Sequence, residues 1–179
     1  MATGQKQTGS AGTLSSIGPH DLGGRTLARQ LVHHLHCVVA NAFVLYANYK
    51  HYHWQTHGPG FRDLHLVFAE FAEEVLDSID RLAQRIQIVS PDVPAHLLEV
   101  IELARVAVAS PHRSLREMFE EADRNVLVAV RELREAARLA DEQDDHGTLV
   151  LASMLAGIYD RHKVWLRDIL NKREGPQLV

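Results

Sequence analysis

The chain has 179 residues, of which 46% are hydrophobic and 6% aromatic, which is enough apolar material for one compact domain. Its single cysteine, Cys37, excludes an internal disulfide and a cysteine-rich metal site. No apolar run approaches the roughly 20 residues that cross a bilayer, no secretory signal is recognisable, and a formal charge of −4 gives no general attraction to nucleic acid. We therefore expect a cytoplasmic protein that does not enter membranes.

The first half of the chain predicts two long helices. Residues 1–19 are rich in Gly, Ser and Thr, and they predict a flexible tail. Apolar residues spaced three and four apart then predict a helix from about Thr26 to Trp54, and a second from Phe61 to the break before Ser90. A shorter apolar segment, residues 95–108, predicts a small connecting helix.

The second half predicts two more long helices. Ser114 and Glu117 have the spacing of a capping box, which predicts the start of a helix that runs to about Asp141. A last periodic stretch covers residues 149–170, and residues 173–179 predict a short tail. Two short turns and one long connection are typical of a ferritin-like four-helix bundle. We therefore predict an all-α bundle over residues 20–172, with a short extra helix between helices two and three.

Three polar residues of helix two share one face. On a helical wheel His65, Asp80 and Gln84 fall in the same band beside the apolar stripe. They span roughly 22 to 28 Å along the helix, so one copy cannot chelate an ion with both ends. Two antiparallel copies about a twofold axis would place His65 of one opposite Asp80 and Gln84 of the other, giving two identical sites. His53, at the end of helix one, adds an imidazole, and such nitrogen and oxygen donors suit Fe(II) or Zn(II).

Three segments resemble one family. Residues 50–65, KHYHWQTHGPGFRDLH, match K-x-x-H-W-x-x-x-G-x-x-F-x-x-L-H in every spacing. Residues 79–86, IDRLAQRI, are similar to I-D-x-[LIM]-A-E-R-I, and residues 160–165, DRHKVW, resemble the same family's fourth helix. This is the signature of the Dps family, the mini-ferritins named as DNA-binding proteins from starved cells.

The resemblance implies a ferroxidase and an iron store. Its members form dodecameric cages from twofold dimers, in which Fe(II) is oxidised between subunits, with hydrogen peroxide preferred and O2 as the other oxidant, and Fe(III) is stored as mineral. By position, His53 and His65 become ferroxidase ligands, and Asp80 becomes a ligand from the partner chain. Trp54 becomes the aromatic ring beside the site that quenches radical by-products.

Two carboxylates of the family pattern are missing. Gln84 stands where the family has Glu, and Ala69 stands where an acidic residue usually follows the histidine by four positions. An amide oxygen is a weaker ligand for hard cations than a carboxylate, so Gln84 either binds weakly or only hydrogen-bonds at the interface. With twelve histidines in the chain, we predict an imidazole-rich centre more tolerant of Zn(II), with His162 as the candidate additional ligand.

Two other functions stay open. A nucleoid-compacting protein would need basic tails, but the first 18 residues carry only Lys6, and Lys172 and Arg173 are offset by Glu174. We therefore predict weak or absent DNA binding. The third hypothesis is a zinc-binding cage with weak ferroxidase activity. A di-iron centre inside one bundle is disfavoured, because no histidine has a Glu three residues before it.

Overall fold

The computed structural model describes residues 19–58 and 61–171, and of residues 19–25 and 27 only the backbone. The two predicted tails, residues 1–19 and 173–179, lie outside the described residues except for Pro19, which begins the first helix.

Five helices make up the described chain, and the predicted all-α architecture is confirmed. The long helices are α1 (Pro19–Gln55), α2 (Phe61–Val89), α4 (Leu115–Asp141) and α5 (His146–Asn171), and a short helix, α3 (Leu97–Leu103), lies in the crossover between α2 and α4. Helix α1 packs along both α2 and α4, and α4 packs along α5, so that the four long helices form a bundle. No described helix is both long and apolar enough to cross a membrane.

Aromatic side chains fill the centre of the bundle. Tyr49 and Tyr52 of α1 meet Phe68 of α2 at ring-centre distances of 6.1 and 5.2 Å, and Phe68 meets Phe119 of α4 at 4.6 Å. All four side chains are fully buried. Each such burial contributes roughly 1.5–3 kcal/mol, so the packed rings fix how α1, α2 and α4 sit relative to one another.

The predicted capping box at the start of α4 is confirmed. The Ser114 Oγ accepts a hydrogen bond from the Glu117 backbone N–H at 3.3 Å, and the Ser114 backbone N–H donates to Glu117 Oε2 at 2.8 Å. The two residues thereby satisfy backbone groups that the helix itself leaves unpaired.

Helix α5 begins three residues before the predicted position because Asp145 caps it. The Thr148 N–H donates to Asp145 Oδ1 at 3.0 Å, and the Thr148 hydroxyl donates to Asp145 Oδ2 at 2.6 Å. Arg85 of α2 donates to both Asp145 and Thr148. Burial opposes ionisation of Asp145, but the hydrogen bonds from Arg85 and Thr148 outweigh it and hold the Asp145 pKa below its ordinary value. This cap therefore also ties α2 to α5.

The predicted connecting helix over residues 95–108 is too long, because buried asparagines hold its second half extended. The Asn41 Oδ1 accepts from the backbone N–H groups of residues 105 and 106 at 2.6 and 2.9 Å. Asn48 and Asn125 both donate to the carbonyl oxygen of residue 107, at 2.8 and 3.0 Å. These amides supply the partners that a helix would have provided, so α3 ends at Leu103.

Candidate metal centre

His53 and His65 are brought together by the turn between α1 and α2. The turn reverses the chain at Gly58, whose φ of +94° is a left-handed conformation that glycine adopts without strain. The Phe61 N–H donates to the Gly58 carbonyl at 3.1 Å and starts α2. The two imidazole rings then stack with their centres 3.5 Å apart and their planes 27° apart. The predicted proximity of the two histidines is therefore present within one chain.

Reciprocal hydrogen bonds fix the proton on each ring. The His53 Nδ1 donates to the His65 carbonyl oxygen at 2.9 Å, and the His65 Nδ1 donates to the His53 carbonyl oxygen at 2.8 Å. A carbonyl oxygen only accepts, so each Nδ1 carries a proton, and each neutral ring has its lone pair on Nε2. This second hydrogen bond is the usual device that orients a metal-binding imidazole. Both rings are thus prepared to bind a cation through Nε2.

Trp54 follows His53 in the last turn of α1 and lies on the outside of the fold. Its side chain is 69% exposed, and the Lys50 Nζ sits 5.9 Å from the ring centre. Its role as the ring that quenches radical by-products stays a prediction from the sequence.

Asp80 and Gln84 form a second, separate polar pair on α2. Both side chains are exposed, and the Gln84 Nε2 donates to Asp80 Oδ2 at 2.7 Å. Asp80 follows His65 by 15 residues, roughly 22 Å along the helix. One chain therefore does not bring Asp80 to the histidine pair. Among residues 19–58 and 61–171, no three His, Cys, Asp or Glu side chains stand close enough to hold a metal ion.

His162 lies in a different environment from the other predicted ligands. It is 1% exposed, stacks on Phe71 with ring centres 4.0 Å apart, and lies 5.7 and 5.6 Å from the rings of Tyr49 and Tyr159. Its Nε2 donates to Glu74 Oε2 at 2.6 Å, and Glu74 follows His65 by nine residues, roughly 13 Å along α2. Within one chain, His162 therefore does not join the histidine pair.

The ionisation of this buried contact is settled by its surroundings. Burial lowers the His162 pKa to about 4, although the Glu74 carboxylate opposes the shift. Burial opposes the ionisation of Glu74, but hydrogen bonds from His162 and Arg161 outweigh this effect and hold the Glu74 pKa below its ordinary value. At neutral pH, His162 is thus neutral and Glu74 is ionised. The proton of His162 sits on Nε2, and the buried Nδ1 of His162 has no hydrogen-bond partner.

Comparison with known proteins identifies the family. Residues 32–175 match the family model described as a ferritin-like domain. The DNA protection during starvation protein of Brevibacillus brevis is 33% identical over 130 residues, which are 73% of this chain and 87% of that protein. The chain belongs to the Dps family of ferritin-like proteins.

Solved structures agree with this assignment. The Dps of Thermosynechococcus elongatus superimposes with a TM-score of 0.83 at 36% identity, covering 87% of this chain and 99% of that one. The Dps of Vibrio cholerae O1, described as a member of a broad superfamily of ferritin-like diiron-carboxylate proteins, gives a TM-score of 0.76 at 26% identity over 82% of this chain and 92% of that one. The predicted ferritin-like bundle is therefore confirmed.

This Dps chain departs from the family's sequence pattern on the band of α2 that carries His65, Asp80 and Gln84. Ala69 lies half-buried four residues after His65, where the pattern has an acidic residue. Gln84 is exposed one turn after Asp80 and has its amide N–H directed at that carboxylate. Of the three acidic residues that the family pattern has in this band, this chain retains Asp80.

Sequence reasoning missed the groups that organise the histidines of this Dps chain. The carbonyl oxygens of His53 and His65 leave no signal in the sequence, since every residue has one. Glu74 is not among the predicted site residues, yet it accepts from His162 and from Arg161 at 2.6 and 3.0 Å. Another buried histidine, His34, is paired with Glu132 at 3.0 Å, and burial lowers its pKa.

Proposed function

We propose that this Dps chain binds Fe(II) at sites between subunits, oxidises it with hydrogen peroxide or O2, and stores the ferric product in a homododecameric cage built from twofold dimers. The protein would thereby act as a ferroxidase that removes iron and peroxide together and protects the cytoplasm against oxidative stress. Iron is the substrate and cargo of this reaction. The description of the Vibrio cholerae relative as a diiron-carboxylate protein supports the choice of iron.

The observation that carries the proposal is the reciprocal hydrogen bonding of His53 and His65. The Nδ1 atoms of both imidazoles donate to backbone carbonyl oxygens, at 2.9 and 2.8 Å. Each ring therefore has its lone pair on Nε2, and the two rings lie at the same turn. Ordinary packing of histidines does not require both protons to be placed in this way. Nitrogen donors with a carboxylate and open positions suit Fe(II).

The remaining ligand would come from a second subunit. Asp80 is exposed on the same band of α2 as His65, at a separation that a single helix cannot close. An antiparallel packing of two α2 helices would bring the partner subunit's Asp80 and the partner subunit's Gln84 to the histidine pair, and twofold symmetry would create the site twice.

The test is Fe(II) oxidation by the assembled protein. We expect anaerobically loaded Fe(II) to be oxidised rapidly on addition of peroxide and the ferric iron to co-elute with the cage. His65→Ala removes one Nε2 and should reduce the rate at least tenfold, since even residues that only orient a ligand are worth 10- to 100-fold. His96→Ala is the control, because His96 is exposed and its ring makes no capping hydrogen bond.

A zinc-binding cage is the second candidate function, and the missing carboxylates favour it. Imidazole nitrogens with one carboxylate also form a Zn(II) site. Competition distinguishes the two. If Zn(II) saturates the histidine pair while Fe(II) is never oxidised faster than in protein-free buffer, the ferroxidase function is wrong.

DNA binding is expected to be weak or absent. The relatives' name refers to DNA protection, but each copy of this chain has a formal charge of −4. Affinity for duplex DNA rests on phosphate contacts from Lys and Arg that weaken with salt. A gel shift of the intact cage at moderate salt checks this, and tight retention of duplex DNA would contradict it.

A further inference from the structure

Gln84 is oriented as a hydrogen-bond donor toward Asp80. Its Nε2 reaches Asp80 Oδ2 at 2.7 Å across one turn of α2. In this orientation the amide N–H2 group faces the carboxylate, and its nitrogen is a donor whose lone pair is delocalised into the carbonyl group and is not offered to a cation. The side chain that replaces the family's glutamate is thus engaged in fixing the retained carboxylate, as outer-shell partners of metal ligands do.

We propose that each intersubunit site of this Dps chain binds a single divalent cation, and that Gln84 is a positioning residue for Asp80. The ion would be held by Nε2 of His53, Nε2 of His65 and the partner subunit's Asp80. This inference rests on the proposed function, because it concerns the same site. Two histidines, one carboxylate and open positions form the donor set of mononuclear Fe(II) sites.

One shared ion requires the two rings to open from their stacked arrangement. Two nitrogens that bind a cation at about 2.1 Å with an angle of about 90–110° lie roughly 3.0–3.4 Å apart, and the ion then lies in the plane of both rings. The rings of His53 and His65 stack with centres 3.5 Å apart and planes 27° apart. Binding of one ion by both Nε2 atoms would therefore widen the angle between the two ring planes.

Charge balance argues against a second ion. Two divalent cations would bring four positive charges to a site with one carboxylate, and ions about 3.5–4 Å apart need a bridging anionic ligand to offset their repulsion. Neither Gln84 nor Ala69 can provide a bridging carboxylate. One cation leaves a smaller excess of charge, which bound hydroxide or substrate can compensate.

A single bound ion changes how peroxide is consumed. Hydrogen peroxide takes two electrons, and each Fe(II) supplies one, so two Fe(II), one H2O2 and two protons give two Fe(III) and two waters. The second electron must then come from another Fe(II) that arrives from solution. The oxidation rate should keep rising with free Fe(II) after the sites are full.

The decisive measurement counts ions on the assembled protein. Anaerobic equilibrium dialysis with Co(II), which avoids oxidation, is compared between the wild-type protein and the double variant His53→Ala/His65→Ala, which lacks both imidazole ligands. The difference removes ions bound elsewhere on the cage, and we expect it to be one Co(II) per chain. A difference of two per chain would overturn the inference while leaving the proposed function intact.

Variants at Gln84 test its role. Gln84→Glu supplies the second carboxylate and should raise the difference to two ions per chain, whereas Gln87→Glu, which adds the same charge at an exposed position three residues further along α2, should leave it at one. Gln84→Ala should keep one ion but weaken its affinity about 10- to 100-fold. Unchanged affinity in Gln84→Ala, or a single ion in Gln84→Glu, would overturn the assignment of Gln84.

Failure of the proposed function has its own signature. If the wild-type protein and the double variant His53→Ala/His65→Ala bind the same number of Co(II) ions, the histidine pair binds none, and the metal centre itself is wrong. Any difference above zero establishes the centre, and its size then decides between one ion and two.

Discussion

The histidine pair and His162 are both held by aromatic stacking and hydrogen bonds, but they have opposite protonation patterns. His53 and His65 place their protons on Nδ1, against backbone carbonyls at 2.9 and 2.8 Å, and keep Nε2 free at a half-buried surface. His162 places its proton on Nε2, against Glu74 at 2.6 Å, and its free Nδ1 is sealed inside the bundle. The location of the free lone pair, and not the number of histidines, is therefore what separates the proposed metal-binding imidazoles from the one that we expect to be structural.

The largest expected effect comes from removing one member of the pair. His53→Phe keeps a ring that can stack on His65, but it removes the Nε2 ligand and the donor to the His65 carbonyl. We expect the Co(II) affinity of the cage to fall at least about 10- to 100-fold. Isothermal titration under anaerobic conditions measures this.

His53→Phe also serves as the control for ring stacking, because the phenyl ring can still stack on His65. If His53→Phe bound Co(II) as tightly as the wild-type protein, the pair would be a packing feature, and the contrast with His162 would disappear. Circular dichroism and the elution volume of the cage should stay unchanged, because the substituted ring retains its contact area.

The second prediction concerns His162 and pH. His162→Phe preserves the aromatic stack and should leave Co(II) affinity and the Fe(II) oxidation rate within about twofold of wild type, because Nδ1 faces the interior. A tenfold loss of either would make His162 a ligand, as the sequence suggested for it.

The stability of the variant should respond differently to acid. Because burial lowers the folded-state pKa of His162 to about 4 from 6.5, its neutral form stabilises the fold fully above pH 6.5 and loses that contribution as the pH falls toward 4. This costs the wild-type protein about 2 kcal/mol per subunit at pH 5. The fall in Tm from pH 7 to pH 5 should therefore be smaller in His162→Phe, at matched protein concentration.

Two other titratable residues affect stability in acid, but neither changes the comparison of wild type with His162→Phe. His34 is also buried with a lowered pKa, so it contributes to the acid response of both proteins and cancels in the difference. The pKa of Glu74 lies below its ordinary value of 4.5, so the stability that it contributes is lost below the pH range compared. An equal fall in Tm for both proteins would contradict the neutral, buried state of His162.

The smallest effect is expected at Tyr52, a buried residue that precedes His53 on α1. The Tyr52 hydroxyl donates to Glu121 Oε2 at 3.0 Å, and Glu121 also accepts from the Ser110 hydroxyl at 2.8 Å. Tyr52→Phe removes one of these hydrogen bonds and should cost about 1 kcal/mol, seen as a Tm lower by a few degrees. Metal binding should not change, because neither Nε2 depends on Tyr52. A loss of Co(II) affinity would show that the pair is not organised independently of the core.

Much of the fold follows from local sequence signals. The three- and four-residue apolar spacing predicts the four long helices, and Ser114 with Glu117 predicts the capping box that the structure contains. The motif around His53 and His65 predicts their meeting across a short turn. These features depend on residues close together in the chain, which is why the sequence is sufficient to find them.

The features that the sequence did not predict share a physical cause. The second half of the crossover is extended because Asn41, Asn48 and Asn125 replace the helical hydrogen bonds from other helices. The burial of His162 against Glu74 joins residues that are 88 positions apart. Contacts between distant segments, and the proton positions that they impose, have no signature in local spacing.

The most direct test of the metal centre is anomalous diffraction from crystals of the cage loaded with Co(II). We expect one peak per chain, about 2.1 Å from Nε2 of both His53 and His65 and bound on its other side by the partner subunit's Asp80. A peak between His162 and Glu74, or no peak at the histidine pair, would contradict the account.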